Sequence, residues 1–467
     1  MFSSQDPELA FAEPRRAPLA SVLGLLASAF NVLAEVMLLP SLILAFFAAE
    51  LTPSYPLIGL VPALAASLWT VARVPAHLLI IRPSRQQQWA FASALVRAGA
   101  IGVLAFAAMR TNPSVLLESG RPLLLTFFLC LIVYTVAGGL GSVPAASLIR
   151  AAISPDQRTD FSLRRVLAGL AASLLGALLT WRLLGAGSPA FPGNYGRLFL
   201  VAAIFLVVLA VLTALQRPLP NAMVRQPAFA PRTLLRPLAD GRYLRYLVFR
   251  LLLAATAAVD PFLFLYAVIR LGIPASSISI FVLAGVLGWV VSTPLWSWLE
   301  RKAQPRTVLQ AAAVLRLVAP ALALLLPQVL TVEQFQSRFG SNAPTVTFAV
   351  GFFAIGAALA ALARSGPAYL APLAPRHLST SYSALTSGML ALAAFAPVAG
   401  GIIIQRFSYE ALFVATILVG LAGVLSSGWL AEVITTTRQP QPVTLSPAAV
   451  EGVGKHVHSR GWPQEPA

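Results

Sequence analysis

Charge is scarce in this chain. Only 10% of its 467 residues are Asp, Glu, Lys or Arg, against about 25% in a soluble globular domain. With 58% of the residues hydrophobic, no water-exposed fold of this size could hide its apolar surface, so lipid must cover much of it. Lysine is nearly missing: Lys302 and Lys455 stand against 31 arginines, a bias that points to a GC-rich, bacterial genome. Cys130 is the one cysteine, which excludes an intrachain disulfide and a cysteine-built metal centre. The four histidines, His77, His377, His456 and His458, give no pair at metal-ligand spacing inside the apolar part of the chain. The sequence has no Gly-x-x-x-x-Gly-Lys phosphate loop, and short gaps between apolar runs leave little room for polar catalytic loops. The chain is therefore expected not to be an enzyme and to use neither cofactor nor metal. Residues 1–17 carry three acids and two arginines with no small-residue cleavage site after a short apolar stretch, so no signal peptide is expected.

Apolar length is what the sequence has in abundance. A helix needs roughly 20 apolar residues to cross a bilayer. Runs of that kind occupy 20–48, 57–81, 89–109, 122–146, 166–184 and 198–215, then 246–269, 277–299, 307–330, 345–363, 381–404 and 410–431. The expected architecture is an all-α integral membrane protein of twelve spans in two six-helix bundles. A segment at 1–17 precedes the first bundle, 18–216; a basic linker, 217–245, leads to the second, 246–432; and 433–467 is a polar, Pro-rich tail expected to be disordered. The net charge of +17 sits in the gaps between runs, a pattern of topology rather than of nucleic-acid binding. With the N-terminus inside, Lys and Arg number 22 in inner segments against 7 in outer ones. Both termini are thus expected to be cytoplasmic, in a multi-pass protein of the cell inner (plasma) membrane.

The two halves repeat in register. Ala94-Leu95-Val96-Arg97 in span 3 matches Ala313-Val314-Leu315-Arg316 in span 9, and Glu35 in span 1 matches Asp260 in span 7. Pro155 and Arg158 follow span 4 as Pro375 and Arg376 follow span 10. Corresponding spans run in the same direction, so the duplication is parallel, with a pseudo-twofold axis along the membrane normal.

These features resemble the major facilitator superfamily of secondary transporters over roughly residues 18–432. That family carries Gly-x-x-x-Asp-Arg-x-Gly-Arg-Arg between spans 2 and 3. The stretch from His77 to Gln86 keeps Arg82 and Arg85 but lacks the glycines and the acid. The repeat between spans 8 and 9 keeps more: Trp296-Ser-Trp-Leu-Glu300-Arg301, then Arg306. The loop from Ser154 to Arg165 and the small-residue run Ala396–Gly401 are similar to family stretches as well. The resemblance implies cytoplasmic gating contacts for Arg82, Arg85, Glu300, Arg301 and Arg306. Proton-coupled drug antiporters of the family often carry an arginine in span 4 four residues before a glycine; before Gly138 that place is held by Tyr134.

Ionisable residues inside a bilayer cost a few kcal/mol each and normally face a cavity or a partner. The candidate substrate- or proton-binding residues are Glu35, Asp260, Asn31, Arg73, Tyr134 and Tyr266. Asn31 lies one turn before Glu35 on the same helix face. Glu35 could carry a proton or a cationic group, or form a structural ion pair with an arginine such as Arg73. Asp260 precedes Pro261, which frees a backbone carbonyl and bends the helix; its partner would be Arg250 or Arg316. Arg97 and Arg316 are read mainly as braces of the cytoplasmic ends of their bundles, or as side chains reaching toward the inner interface. Either the two acids share a poorly solvated cavity, which disfavours double ionisation, or each is neutralised by its own arginine. The expected function is alternating-access transport of a small molecule by a monomer in the lipid bilayer, with protons as candidate coupling ion. Spans poor in Asn and Gln fit an amphipathic or cationic substrate, exported. The other reading, motivated by the eroded signature, is a transport-inactive assembly factor or sensor.

Overall fold

The computed structural model describes residues 13–79, 83–112, 120–151, 158–185, 187–216, 234–329 and 343–431. Arg82, most of the 217–245 linker and the 433–467 tail lie outside the described residues. All regular structure among the described residues is helical. Among the described residues twelve helices are long and apolar enough to cross a membrane. In the first half these are spans 1 to 6: Ser21–Ala49, Tyr55–Val74, Arg85–Arg110, Arg121–Ile149, Asp160–Leu184 and Gly193–Leu215. Spans 7 to 12 are Gly241–Leu271, Ala275–Ala303, Pro305–Gln328, Pro344–Leu373, Ser379–Arg406 and Tyr409–Ser427.

Span 7 starts earlier than its apolar run suggests. Asp240 caps it, its Oδ1 accepting from the backbone N–H groups of Arg242 and Tyr243, and this satisfies donors that a bare helix end would leave orphaned. Arg242 and Arg245 are thereby drawn into the first two turns of the helix.

Neighbouring spans reveal the internal symmetry. In the first half span 3 packs on spans 4 and 6, span 2 on 4, and span 1 on 5 and 6. In the second half span 9 packs on 10 and 12, span 8 on 10, and span 7 on 11 and 12. Adding six to each number of the first set gives the second. Between the halves span 2 meets span 11 and span 5 meets span 8, two seams that exchange under the same operation.

Spans 1 and 7, a symmetry-related pair, are both broken. In span 1 the α-helix Glu13–Met37 yields to a π-helical turn, Pro40–Leu44, before α-helix resumes at Ala45–Ala49. Pro40 has no N–H to donate and its ring crowds the preceding turn. Span 7 runs as Gly241–Ala255, tightens to a 3-10 turn at Thr256–Val259, and continues as Asp260–Leu271. Pro261, at the second position of the resumed helix, is the corresponding cause.

We call the face on which odd-numbered spans begin the N-terminal face. One apolar cluster draws residues from all twelve spans, and apart from Ala34 and Leu206, which sit at the middle of spans 1 and 6, its span residues lie in the half toward the opposite face. Its cross-half contacts include Phe46 with Phe264, ring centroids 4.6 Å apart, and Tyr55 with Tyr409 at 5.7 Å. On the N-terminal face the buried cluster of Trp296, Val308, Ala312, Ala357, Ala360 and Ala361 belongs to the second half alone. This conformation is sealed at the opposite face.

Candidate functional site

Glu35 sits two residues before the first α segment of span 1 ends. Its Oε1 accepts from Asn31 Nδ2 at 2.8 Å, the one-turn spacing that places the two on one helix face. Asn31 Oδ1 in turn accepts from Arg97 Nη1 at 2.8 Å, and Arg97 Nη2 donates to the Tyr134 hydroxyl at 2.9 Å. The ion pair between Arg97 Nη2 and Glu35 Oε1 is long, 3.7 Å. The guanidinium lies over the Trp69 ring at 5.3 Å and the Tyr134 ring at 4.8 Å, positions where the ring quadrupoles attract a cation. Gly138, one turn beyond Tyr134, is what admits Trp69: a Cβ there would collide with the indole. Spans 1, 2, 3 and 4 thus converge on one arginine, which is buried while 43% of the Glu35 side chain stays accessible.

The second half repeats the pair with a different finish. Arg316 donates from Nη2 and Nη1 to the two oxygens of Asp260, at 2.9 and 3.2 Å, and from Nε to the Thr256 hydroxyl at 2.9 Å. This fork-to-fork geometry is the strong form of a carboxylate–guanidinium contact. Thr256 opens the 3-10 turn and Asp260 opens the helix that follows it, so a single guanidinium spans the break in span 7. Only 14% of the Asp260 side chain is accessible, and 3% of that of Arg316.

The geometry corrects several sequence-based pairings. Arg73 is not the partner of Glu35; its Nε donates to the Ser142 hydroxyl at 3.0 Å, an exposed contact. Among the described residues the helix carrying Arg73 runs to Leu79, six residues on, so Arg73 lies about 9 Å from that point at 1.5 Å rise per residue. Arg97 is neither a terminal brace nor an interfacial side chain. Its helix begins at Pro83, which puts Arg97 about 21 Å in. Of the two partners considered for Asp260, Arg316 is the one; Arg250 donates instead to the Leu362 carbonyl at 3.3 Å. Each acid therefore has its own arginine.

The remaining candidates scatter. Tyr134 joins the Arg97 cluster, whereas Tyr266 packs among Phe348, Tyr409 and Phe413 in the sealed layer, 3% exposed. Of the gating residues, Glu300 pairs with Arg364 of span 10 at 2.6 Å and accepts from the Ser365 hydroxyl at 3.4 Å. Arg306 Nη2 donates to the Gly428 carbonyl at 3.2 Å. Both contacts tie spans within the second half. Arg85 and Arg301 are exposed. Trp69 and Thr256 escaped sequence reading, because an aromatic or a threonine within an apolar span carries no periodic signal.

Twelve membrane-crossing helices among the described residues, in two symmetry-related halves broken at spans 1 and 7 beside paired charges, have the architecture of a secondary transporter. The chain matches the family model described as MFS/sugar transport protein over residues 21–374 and belongs to that family. Among solved structures, a mutant of the nucleoside transporter NupG superposes with a TM-score of 0.64 at 14% identity, covering 88% of this chain and all of that one. A D-xylose-proton symporter gives 0.58 at 14% identity, covering 89% of this chain and 96% of its own. A POT family transporter gives 0.58 at 12% identity, with 90% and 96% covered. Comparison with curated proteins returns no match. The protein is a membrane transporter of the major facilitator type and not an enzyme.

Proposed function

We propose that this transporter is a proton-coupled exporter of a small amphipathic or cationic molecule and that Glu35 is its proton- or cation-responsive group. The contrast between the two acids carries the reading. Asp260 is closed into a two-pronged pair, whereas Glu35 is accessible and its arginine stands back at 3.7 Å. A carboxylate with spare acceptor capacity can take a proton or a cationic group and give it up again; one with both oxygens committed to a buried guanidinium does so at far greater cost. Asn31 orients Glu35, and Arg97 supplies the counter-charge that limits the cost of leaving it ionised inside a span. Arg73 and Tyr134 lie along the same half. Tyr266 contributes through closure of the opposite face. The protein acts as a monomer in the cell inner membrane with both termini cytoplasmic, which makes the sealed face the external one.

The test is transport by the purified protein in liposomes under an imposed pH gradient, against a panel of amphipathic cations and neutral analogues. Substrate movement driven by the gradient supports the reading. Uptake of neutral compounds with no proton dependence overturns the coupling and the substrate class. A second reading is a transport-inactive assembly factor or sensor, favoured by the loss of the acid and glycines between His77 and Gln86. Absence of movement for every solute, with specific capture of a membrane partner, would favour it.

A further inference from the structure

The segment entering span 7 has a surface that packing among the described residues does not use. Leu235, Leu238 and Leu244 are 65%, 42% and 43% exposed. Arg236, Arg242 and Arg245 are exposed among them. Arg242 and Arg245 are three residues apart on a helix and therefore neighbours on one face. The opposite side of the same turns is buried, with Tyr243, Tyr246 and Leu247 at 2% or below. The exposed side continues into the span through Leu244 and, one turn later, Val248 at 38%, so the arginines stand at the N-terminal end of an exposed apolar stripe on a membrane-crossing helix.

The acid in this segment does not neutralise them. Asp240 Oδ1 is taken by the backbone N–H groups of Arg242 and Tyr243, and Oδ2 accepts from the Tyr382 hydroxyl at 3.0 Å. No ion pair joins Arg236, Arg242 or Arg245 to any described residue. Three guanidiniums beside three exposed leucines, at the border of an apolar stripe, match a phosphate headgroup above an acyl chain. A soluble anion would satisfy the arginines and leave the leucines in water.

We propose that residues 234–245 form a binding site for an anionic phospholipid at the membrane face where span 7 begins. Leu235, Leu238 and Leu244 enter the acyl boundary, and Arg236, Arg242 and Arg245 hold the headgroup phosphate.

The protein, extracted from vesicles of equal phosphatidylglycerol and phosphatidylcholine, should retain the anionic lipid preferentially in native mass spectrometry. An arginine near an anionic surface is worth roughly fivefold in affinity, so Arg236→Gln, Arg242→Gln and Arg245→Gln together should weaken retention by on the order of a hundredfold. The corresponding triple lysine variant should keep most of it. Arg164→Gln with Arg165→Gln, which removes two exposed arginines from the start of span 5, should leave it unchanged. Equal retention of both lipids by the parent protein overturns the proposal without any variant. So does an equal loss in the span 5 variant, which would indicate general charge attraction, or displacement by inorganic phosphate alone, which would indicate a soluble-anion site.

Discussion

Arg316 is buried deeply enough that removing its partner should be felt by the whole protein. Asp260→Ala leaves a guanidinium that is 3% exposed without its carboxylate, and breaking such a pair costs about 3–5 kcal/mol. The expected result is a marked fall in melting temperature in detergent. Pairing Asp260→Ala with Arg316→Met should recover most of the loss, and a double-mutant cycle measures the coupling. Additive losses would show that the two side chains do not act together. Glu35 should behave in the opposite way. Glu35→Gln keeps its shape and its hydrogen bond to Asn31, so stability should hold while proton-driven transport falls by about an order of magnitude or more. Wild-type transport with an unchanged pH profile would remove Glu35 from the mechanism. Both acids stood out in the sequence because charge inside an apolar run is rare. Their partners were harder to read. Assigning Arg97 to Glu35 requires knowing that its helix starts at Pro83, whereas hydropathy places the start near residue 89, where Arg97 looks close to a membrane surface.

At the scale of single helices, the seam between spans 2 and 11 depends on two glycines. A Cβ on Gly59 would strike the Pro397 carbonyl, and one on Gly401 would come within 2.5 Å of the Tyr55 carbonyl oxygen. Both obstacles are backbone, which cannot swing aside as a side chain can. Gly401→Ala should therefore push the spans apart and favour a conformer in which this face is open. Cysteine-labelling rates at positions such as Ala45, now 0% exposed, should rise in that variant, with Cys130 replaced by serine in all samples. Unchanged labelling would mean that the seam adjusts locally. The small-residue run Ala396–Gly401 was visible in the sequence as a packing motif, but its counterpart Gly59 was not, since one glycine in an apolar run gives no hint of what approaches it. The breaks in spans 1 and 7 were partly legible: Pro261 announced a bend beside Asp260, while the π-helical turn at Pro40–Leu44 passes for continuous helix in a hydropathy profile.

For the molecule as a whole, twelve spans and the parallel repeat followed from apolar lengths and duplicated charges, because a bilayer tolerates few alternatives. The sidedness proposed from the 22-to-7 charge bias has a direct test. A reporter active only outside the cell should stay silent when fused after residue 225 or at either terminus, and activity at any of these would reverse the assignment. What composition could not show was which face is closed, since both ends of every span are similarly apolar. The seal spreads over all twelve spans and is built from aliphatic and aromatic side chains. Opening it wets apolar surface, and such hydration raises heat capacity and becomes less unfavourable on cooling. The balance between the two conformers should then follow a curved van't Hoff plot, with the sealed state losing ground toward low temperature. Labelling at Ala45→Cys, corrected for the intrinsic rate of the reagent, should increase between 25 °C and 4 °C; a straight plot would mean that polar rearrangements elsewhere, and not this apolar layer, set the conformational equilibrium.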